Sequence, residues 1–220
     1  LGIGYLLCLP NPLFDDPYSL VLEDEQGQLL GARIAADEQW RFPEIDSVPR
    51  KFEAAILHFE DKRFYRHPGV DPLSLARACW QNLRAWRVVS GGSTLTMQVI
   101  RLSRKGKNRT LWEKIVESVL ATRLEWRHSK ARILRLYASH APFGGNIVGL
   151  EAATWRYFGK PPAHLSWAEA CMLAVLPNSP ALIHPGRNRA VLKEKRDRLL
   201  IRLRESQILD SLSCQLAIAE

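Results

Sequence analysis

The sequence predicts a mainly helical protein preceded by a short β-like arm. Three observations carry this. From about Pro49 onward, apolar residues recur with the helical period of about 3.6. Helix start signals fall in the same stretch, among them Asp71-Pro72 and the run Ser166-Trp167-Ala168-Glu169. Before Pro49, short apolar pieces alternate with turn formers such as Asn11-Pro12 and Asp15-Asp16-Pro17.

The elements follow in order. The opening run LGIGYLLCLP is apolar and uncharged, but shorter than the roughly 20 residues a bilayer span needs. It fits a buried segment or the outer end of a transmembrane anchor. YSLVLEDEQGQLLGARI reads as a hairpin with Gln26-Gly27 near its turn, so residues 11–48 form an extended connector. Helices are expected at roughly 50–64, 72–87, 93–104, 110–127, 129–138, 146–157, 166–176 and 188–205. Residues 206–220 read as the start of a linker.

Composition narrows the function. With 46% hydrophobic and 25% charged residues, the 220-residue chain is an ordinary globular one. A net charge of +8 points to an anionic partner: nucleic acid, a phospholipid surface or a phosphorylated substrate. Cys8, Cys79, Cys171 and Cys214 are far apart and lack metal-ligand spacing. Cys79 and Cys171 sit in apolar helical patterns and are expected as buried thiols.

Five stretches could carry chemistry. In EDKRFYRHPGVDP, Glu60 ends an apolar helix, where a sheltered carboxylate suits general acid–base work; a basic helix C-terminus explains the same charges. SGGSTLTMQ, residues 90–98, is a glycine loop feeding a helix N-terminus, either an anion cradle or a turn with a hydroxyl cap. Glu113 and Glu117 share a helix face, with Glu117 at the rim of the apolar stripe Trp112, Ile115, Val116, Val119, Leu120 and Leu124. The glycines of HAPFGGNIVGLEAATWRYFGK read as architectural. Trp80 and Trp86 with Arg77, Arg84 and Arg87 suit a membrane interface or an ordinary packed helix.

In this order, EDKRFYRHPGVDP, GGSTLTMQ, KIVE, FGGNIVGLEAATWRYFGK and LSWAEACMLAVLPNSPA resemble glycosyltransferase family 51. This is the peptidoglycan glycosyltransferase domain of class A penicillin-binding proteins. The likeness runs from about Phe52 to Arg198, and the GGSTLTMQ and HAPFGGN variants look most like the 1C type. The resemblance implies a lysozyme-like helical domain, residues 49–205, with a smaller membrane-proximal lobe. It implies that Glu60 is the general base that deprotonates the GlcNAc 4-hydroxyl of lipid II. Glu117 is the second family acid. Asp61 and His67 would orient the site and Arg63 would meet phosphate or sugar. Ser93, Thr94, Gln98, Arg101, Arg109 and Lys114 would line the donor side.

Two departures stand out: Glu113 replaces the Arg of the family's R-K-x-x-E motif, and Met97-Gln98 replaces Gln-Gln. Arg109 or Arg123 would have to supply the missing cation. The resemblance further implies Mg²⁺ or Mn²⁺ at the substrate pyrophosphate, although the sequence shows no dedicated metal cage. It implies a growing glycan chain, a membrane surface and a C-terminal transpeptidase domain as partners, on the periplasmic side of the bacterial inner membrane. Two rivals share these residues, a glycan-cleaving enzyme and a non-catalytic lipid II or glycan binder. Nucleic acid is excluded as a partner because no recognition motif is present.

Overall fold

The computed structural model describes residues 2–87, 91–105, 110–178 and 188–220. The chain divides into two compact units, one built from Leu1–Asp15 and Arg63–Tyr137, the other from Asp16–Lys62 and Ala138–Glu220. The mainly helical architecture matches the expectation.

In the first unit, α1 (Gly2–Leu7) precedes α3 (Pro72–Ala85), α4 (Leu95–Ser103), α5 (Leu111–Arg127) and most of α6 (Lys130–His140). The caps at Asp71 and in the glycine loop are those the sequence announces. Asp71 accepts from the backbone N–H groups of Leu73 and Ser74, and Pro72 fills the first turn. Thr94 and Thr110 cap α4 and α5 through the N–H groups of Met97 and Glu113. Tyr5 of α1 meets Trp126 at 6.3 Å between ring centroids, and its hydroxyl lies 3.1 Å from Thr122 Oγ1. Arg123 donates to the Leu6 carbonyl. Among the described residues, no helix is long and apolar enough to cross a membrane.

Helix α5 departs from its expected stripe. Its buried residues are Glu117, Leu120, Ala121 and Leu124. Trp112, Ile115, Val119 and Trp126 are exposed. At about 100° per residue these four fall within an arc of about 60°, nearly opposite the buried set. The apolar residues read as one stripe are two faces.

In the second unit, α2 (Arg50–Glu60) packs on α8 (Trp167–Val175) and on α9 (Arg189–Glu205). The alanines of α8, Ala168, Ala170 and Ala174, let its neighbours approach closely, and Phe52, Ile56, Leu173, Leu199 and Leu203 complete the core. Ser166 and Glu169 form the capping box that the sequence predicts. The hairpin is present as β1 (Leu20–Glu23) against β2 (Leu29–Arg33), its turn held by Asp24 Oδ1 accepting from the N–H groups of Gln26 and Gln28. Two features were not legible. A three-stranded sheet joins β3 (Trp40–Arg41), β5 (Ile147–Val148) and β4 (Pro142–Gly144). A further helix, α10 (Ser211–Ala219), packs on α8 and α9; α7 (Leu150–Phe158) completes the set.

Cys171 is buried, and burial pushes its thiol up to about 12. Cys79 corrects the sequence reading: it is exposed, on the outer side of α3. The glycines of the fourth motif are architectural, since Gly144, Gly145, Gly149 and Gly159 all take positive φ.

One close approach holds the first motif. Gly69 has φ +94°, and a Cβ there would stand 2.6 Å from the Ala121 carbonyl oxygen of α5. Gly69→Ala is therefore expected to cost about 2 kcal/mol or more in a urea melt. An unchanged midpoint would show that α5 yields at this point.

Candidate active site

Glu60 is the last residue of α2, half-buried, and Asn178 donates to its Oε1 at 3.4 Å. Asp61 ends the helix and is buried, with its N–H on the Leu57 carbonyl. These residues belong to the second unit.

The rest of the first motif belongs to the first unit and is anchored from behind. Arg63 donates to Asp71 from Nε at 2.9 Å and from Nη2 at 2.7 Å, so its guanidinium is committed to the start of α3. Burial would raise the Asp71 carboxyl, but hydrogen bonds from Ser74 and Arg63 outweigh it and hold the group at about 2. His67 is buried. Its carbonyl accepts from Lys130 Nζ at 2.7 Å, and that ammonium also lies over the Phe64 ring at 4.3 Å. Lys130 pairs with Glu125 at 2.7 Å, and Glu125 accepts from Thr96 Oγ1 at 2.6 Å. Sequence reasoning missed Glu125 and Lys130, whose role depends on contacts between helices.

The second and third motifs meet in one cavity of about 320 Å³, lined by Ser93, Arg101, Thr110, Leu111, Glu113, Lys114 and Glu117. Ser93, Arg101, Lys114 and Glu117 were expected there, with Glu113 at the motif's cation position; Thr110 and Leu111 were not. Arg101 binds Glu117 with both arms of its fork, Nε to Oε1 and Nη2 to Oε2, each at 2.8 Å. The Glu117 side chain is only 7% exposed, more sheltered than a stripe rim suggests. Lys114 lines the cavity and makes no ion pair among the described residues. Thr94 turns inward instead, capping α4 and donating to the Gly69 carbonyl. Gln98 lies one turn before Arg101 on α4 and is not among the lining residues. Arg109 lies outside the described residues.

Glu113 has a partner that the sequence did not suggest: Arg104, just past the end of α4, binds its carboxylate. Arg123, the other substitute considered, is turned to α1. Among the described residues, no three His, Cys, Asp or Glu side chains gather to hold a metal ion.

The fold is that of a mainly helical, lysozyme-like domain, and its first unit holds a cavity lined by Arg101 and Lys114 with Glu113 and Glu117. The chain belongs to the transglycosylase family, whose model matches residues 26–204. It is 44% identical over 201 residues to penicillin-binding protein 1C of Escherichia coli, covering 88% of this chain and 25% of that protein. It is 35% identical to penicillin-binding protein 1A of Aquifex aeolicus, covering 90% and 27%. It is 36% identical to penicillin-binding protein 1B of Vibrio cholerae, covering 82% and 24%. The higher identity to the 1C protein agrees with the 1C-like motif variants. The chain thus spans about a quarter of the length of these relatives. The fold is shared with the crystal structure of penicillin-binding protein 1A from Haemophilus influenzae, at TM-score 0.52 and 19% identity over 94% of this chain and 21% of that one.

Two outcomes follow from this geometry. Asp71→Asn keeps a cap but loses the depressed carboxylate. It is expected to be less stable than the parent at neutral pH. That deficit should vanish as the pH falls from about 4 to about 2, where the parent's own carboxylate takes up its proton. A deficit independent of pH would show that the Arg63 pair contributes nothing. Glu113→Arg sets a new cation beside Arg104 and should lower stability by about 2 kcal/mol, with the swap Glu113→Arg/Arg104→Glu restoring most of it. Additive losses in this double-mutant cycle would rule out the pair as a unit.

Proposed function

We propose that this domain polymerises peptidoglycan glycan strands from lipid II. Glu60 takes the proton of the acceptor's GlcNAc 4-hydroxyl. The freed oxygen attacks C1 of the donor MurNAc, the bond to undecaprenyl pyrophosphate breaks, and the configuration at C1 inverts. A base in contact with the nucleophile raises its reactivity in the transition state, by about 10²–10⁴-fold in typical cases.

The observation that carries this reading is the cavity of the second and third motifs. A departing pyrophosphate gathers negative charge and needs fixed cations and donors. Lys114 without an ion pair among the described residues, with the hydroxyls of Ser93 and Thr110, supplies them in one place. A hydrolase cutting glycan has no such leaving group. Glu117 holds Arg101 rigid at the same wall. A divalent ion arriving with the pyrophosphate would neutralise part of its charge.

The exposed face of α5, Trp112, Ile115, Val119 and Trp126, and Leu73, Trp80 and Leu83 on α3 suit a lipid interface, where tryptophan is favoured. The net charge of +8 adds attraction to anionic headgroups. In this reading the domain works at the periplasmic face of the bacterial inner membrane. It is tethered by a single span, of which residues 1–10 are the outer end, and is followed by a transpeptidase domain.

One observation favours a second reading, a non-catalytic lipid II binder: Glu113 puts an acid in the cavity wall where the family carries a cation. Polymerisation of labelled lipid II in detergent with Mg²⁺ separates the two. Glu60→Gln should lower the rate by about 10²–10⁴-fold with lipid II still bound. A variant as fast as the parent would sink the base assignment, and a parent that binds without polymerising would favour the binder.

A further inference from the structure

A cavity of about 440 Å³ lies at the opposite end of α2 from Glu60, within the second unit. Ten residues of helix separate Arg50 at its edge from Glu60, a rise of about 15 Å. Its walls are unusual. Pro161, Pro162 and Leu165 give it an apolar, rigid side. Glu151 and Asp46 add two carboxylates, and Arg50 a guanidinium.

Glu151 sits half-buried in the first turn of α7 and makes no side-chain hydrogen bond or ion pair among the described residues. A helix N-terminus favours a carboxylate. Burial raises the Glu151 carboxyl all the same, and the neighbouring charges of Glu23 and Asp46 raise it further. Among the described residues no cation relieves it: Lys51 Nζ is spent on the Leu165 carbonyl at 2.8 Å, and Arg50 is exposed at the edge. A sheltered carboxylate among other acids, beside a greasy wall, is complementary to an ammonium on a methylene stem. The exposed guanidinium nearby is complementary to a carboxylate.

We propose that this cavity is a subsite for the aliphatic amine of a peptide carried by the glycan substrate. The ammonium sits against Glu151 and Asp46, the methylene stem against Pro161, Pro162 and Leu165, and a neighbouring carboxylate on Arg50. The peptide assignment rests on the glycosyltransferase reading; the amine site does not. At about 15 Å from Glu60 along α2, the subsite is within reach of a side branch of the sugar chain.

The test has two arms. Calorimetric titration of the chain uses N-acetyl-lysyl-alanine and the same peptide acetylated on its side-chain amine. The free amine should bind, acetylation should abolish binding, and Glu151→Gln should weaken it about tenfold with an unchanged melting temperature. Asp46→Asn, on the exposed rim, serves as the second variant. No binding by the parent, equal binding of the acetylated peptide, or full binding by both variants overturns the site. The second arm measures polymerisation of lipid II with its peptide amine free or acetylated. Acetylation should raise KM about tenfold in the parent and leave it unchanged in Glu151→Gln. An amine-dependent peptide site with an indifferent KM overturns the substrate assignment. Amine-dependent binding without any polymerisation sinks the glycosyltransferase reading and leaves the amine site standing.

Discussion

The forked pair between Arg101 and Glu117 is the constraint on which the first unit turns. Glu117 lies on the buried face of α5, beside Leu120, Ala121 and Leu124. A carboxylate so placed would destabilise the unit if it stood alone, because removing one partner of a buried pair costs about 3–5 kcal/mol. Arg101 answers it from α4 with two parallel hydrogen bonds. The pair fixes the rotation of α4 against α5, and that rotation brings Ser93 and Lys114 to one cavity. Glu113 and Arg104 repeat the device one turn earlier on α5. A charged site can be rigid here because its charges are crossed between helices rather than left to solvent.

The same logic supports the first motif from behind. Arg63 is bound by Asp71, and the His67 carbonyl by Lys130, itself fixed by Glu125. The chain between these anchors passes against α5 at Gly69, where only hydrogen fits. Much of the crowded charge in EDKRFYRHPGVDP is therefore structural. The basic residues of the motif are not all reserved for phosphate.

Most helices were legible because their ends carry local signals. Asp71-Pro72 and Ser166 with Glu169 act within one turn, and the structure uses them as read. The overlooked α10 had such a signal in Asp210, whose side chain accepts from the Ser213 N–H. The sheet of β3, β5 and β4 had none, because its strands are only two or three residues long and β3 pairs with β5 across about a hundred residues of chain. At the site, the placing of Glu117 was legible from spacing and that of Lys114 from the likeness of its motif, while the partner of Glu113 was not. Arg104 follows another helix, α4, and nothing in the local pattern of α5 marks it. The two faces of α5 were merged for the same reason: periodicity reports apolar residues, not what they meet.

The division of the chain bears on the order of assembly. Residues 63–137 of the first unit are contiguous, and its α4–α5 contact is local. The second unit is assembled from 16–62 and 138–220, so its α2 must wait for α8 and α9 to be synthesised. Closing so long a loop is entropically slow, and N-terminal segments emerge first from the ribosome. The unit that holds Arg101 and Glu117 can thus form on the nascent chain while α2, with Glu60 at its end, still lacks the helices that bury Phe52 and Ile56. Glu60 is placed only as the core of its unit is completed, in the last stage of synthesis of this stretch.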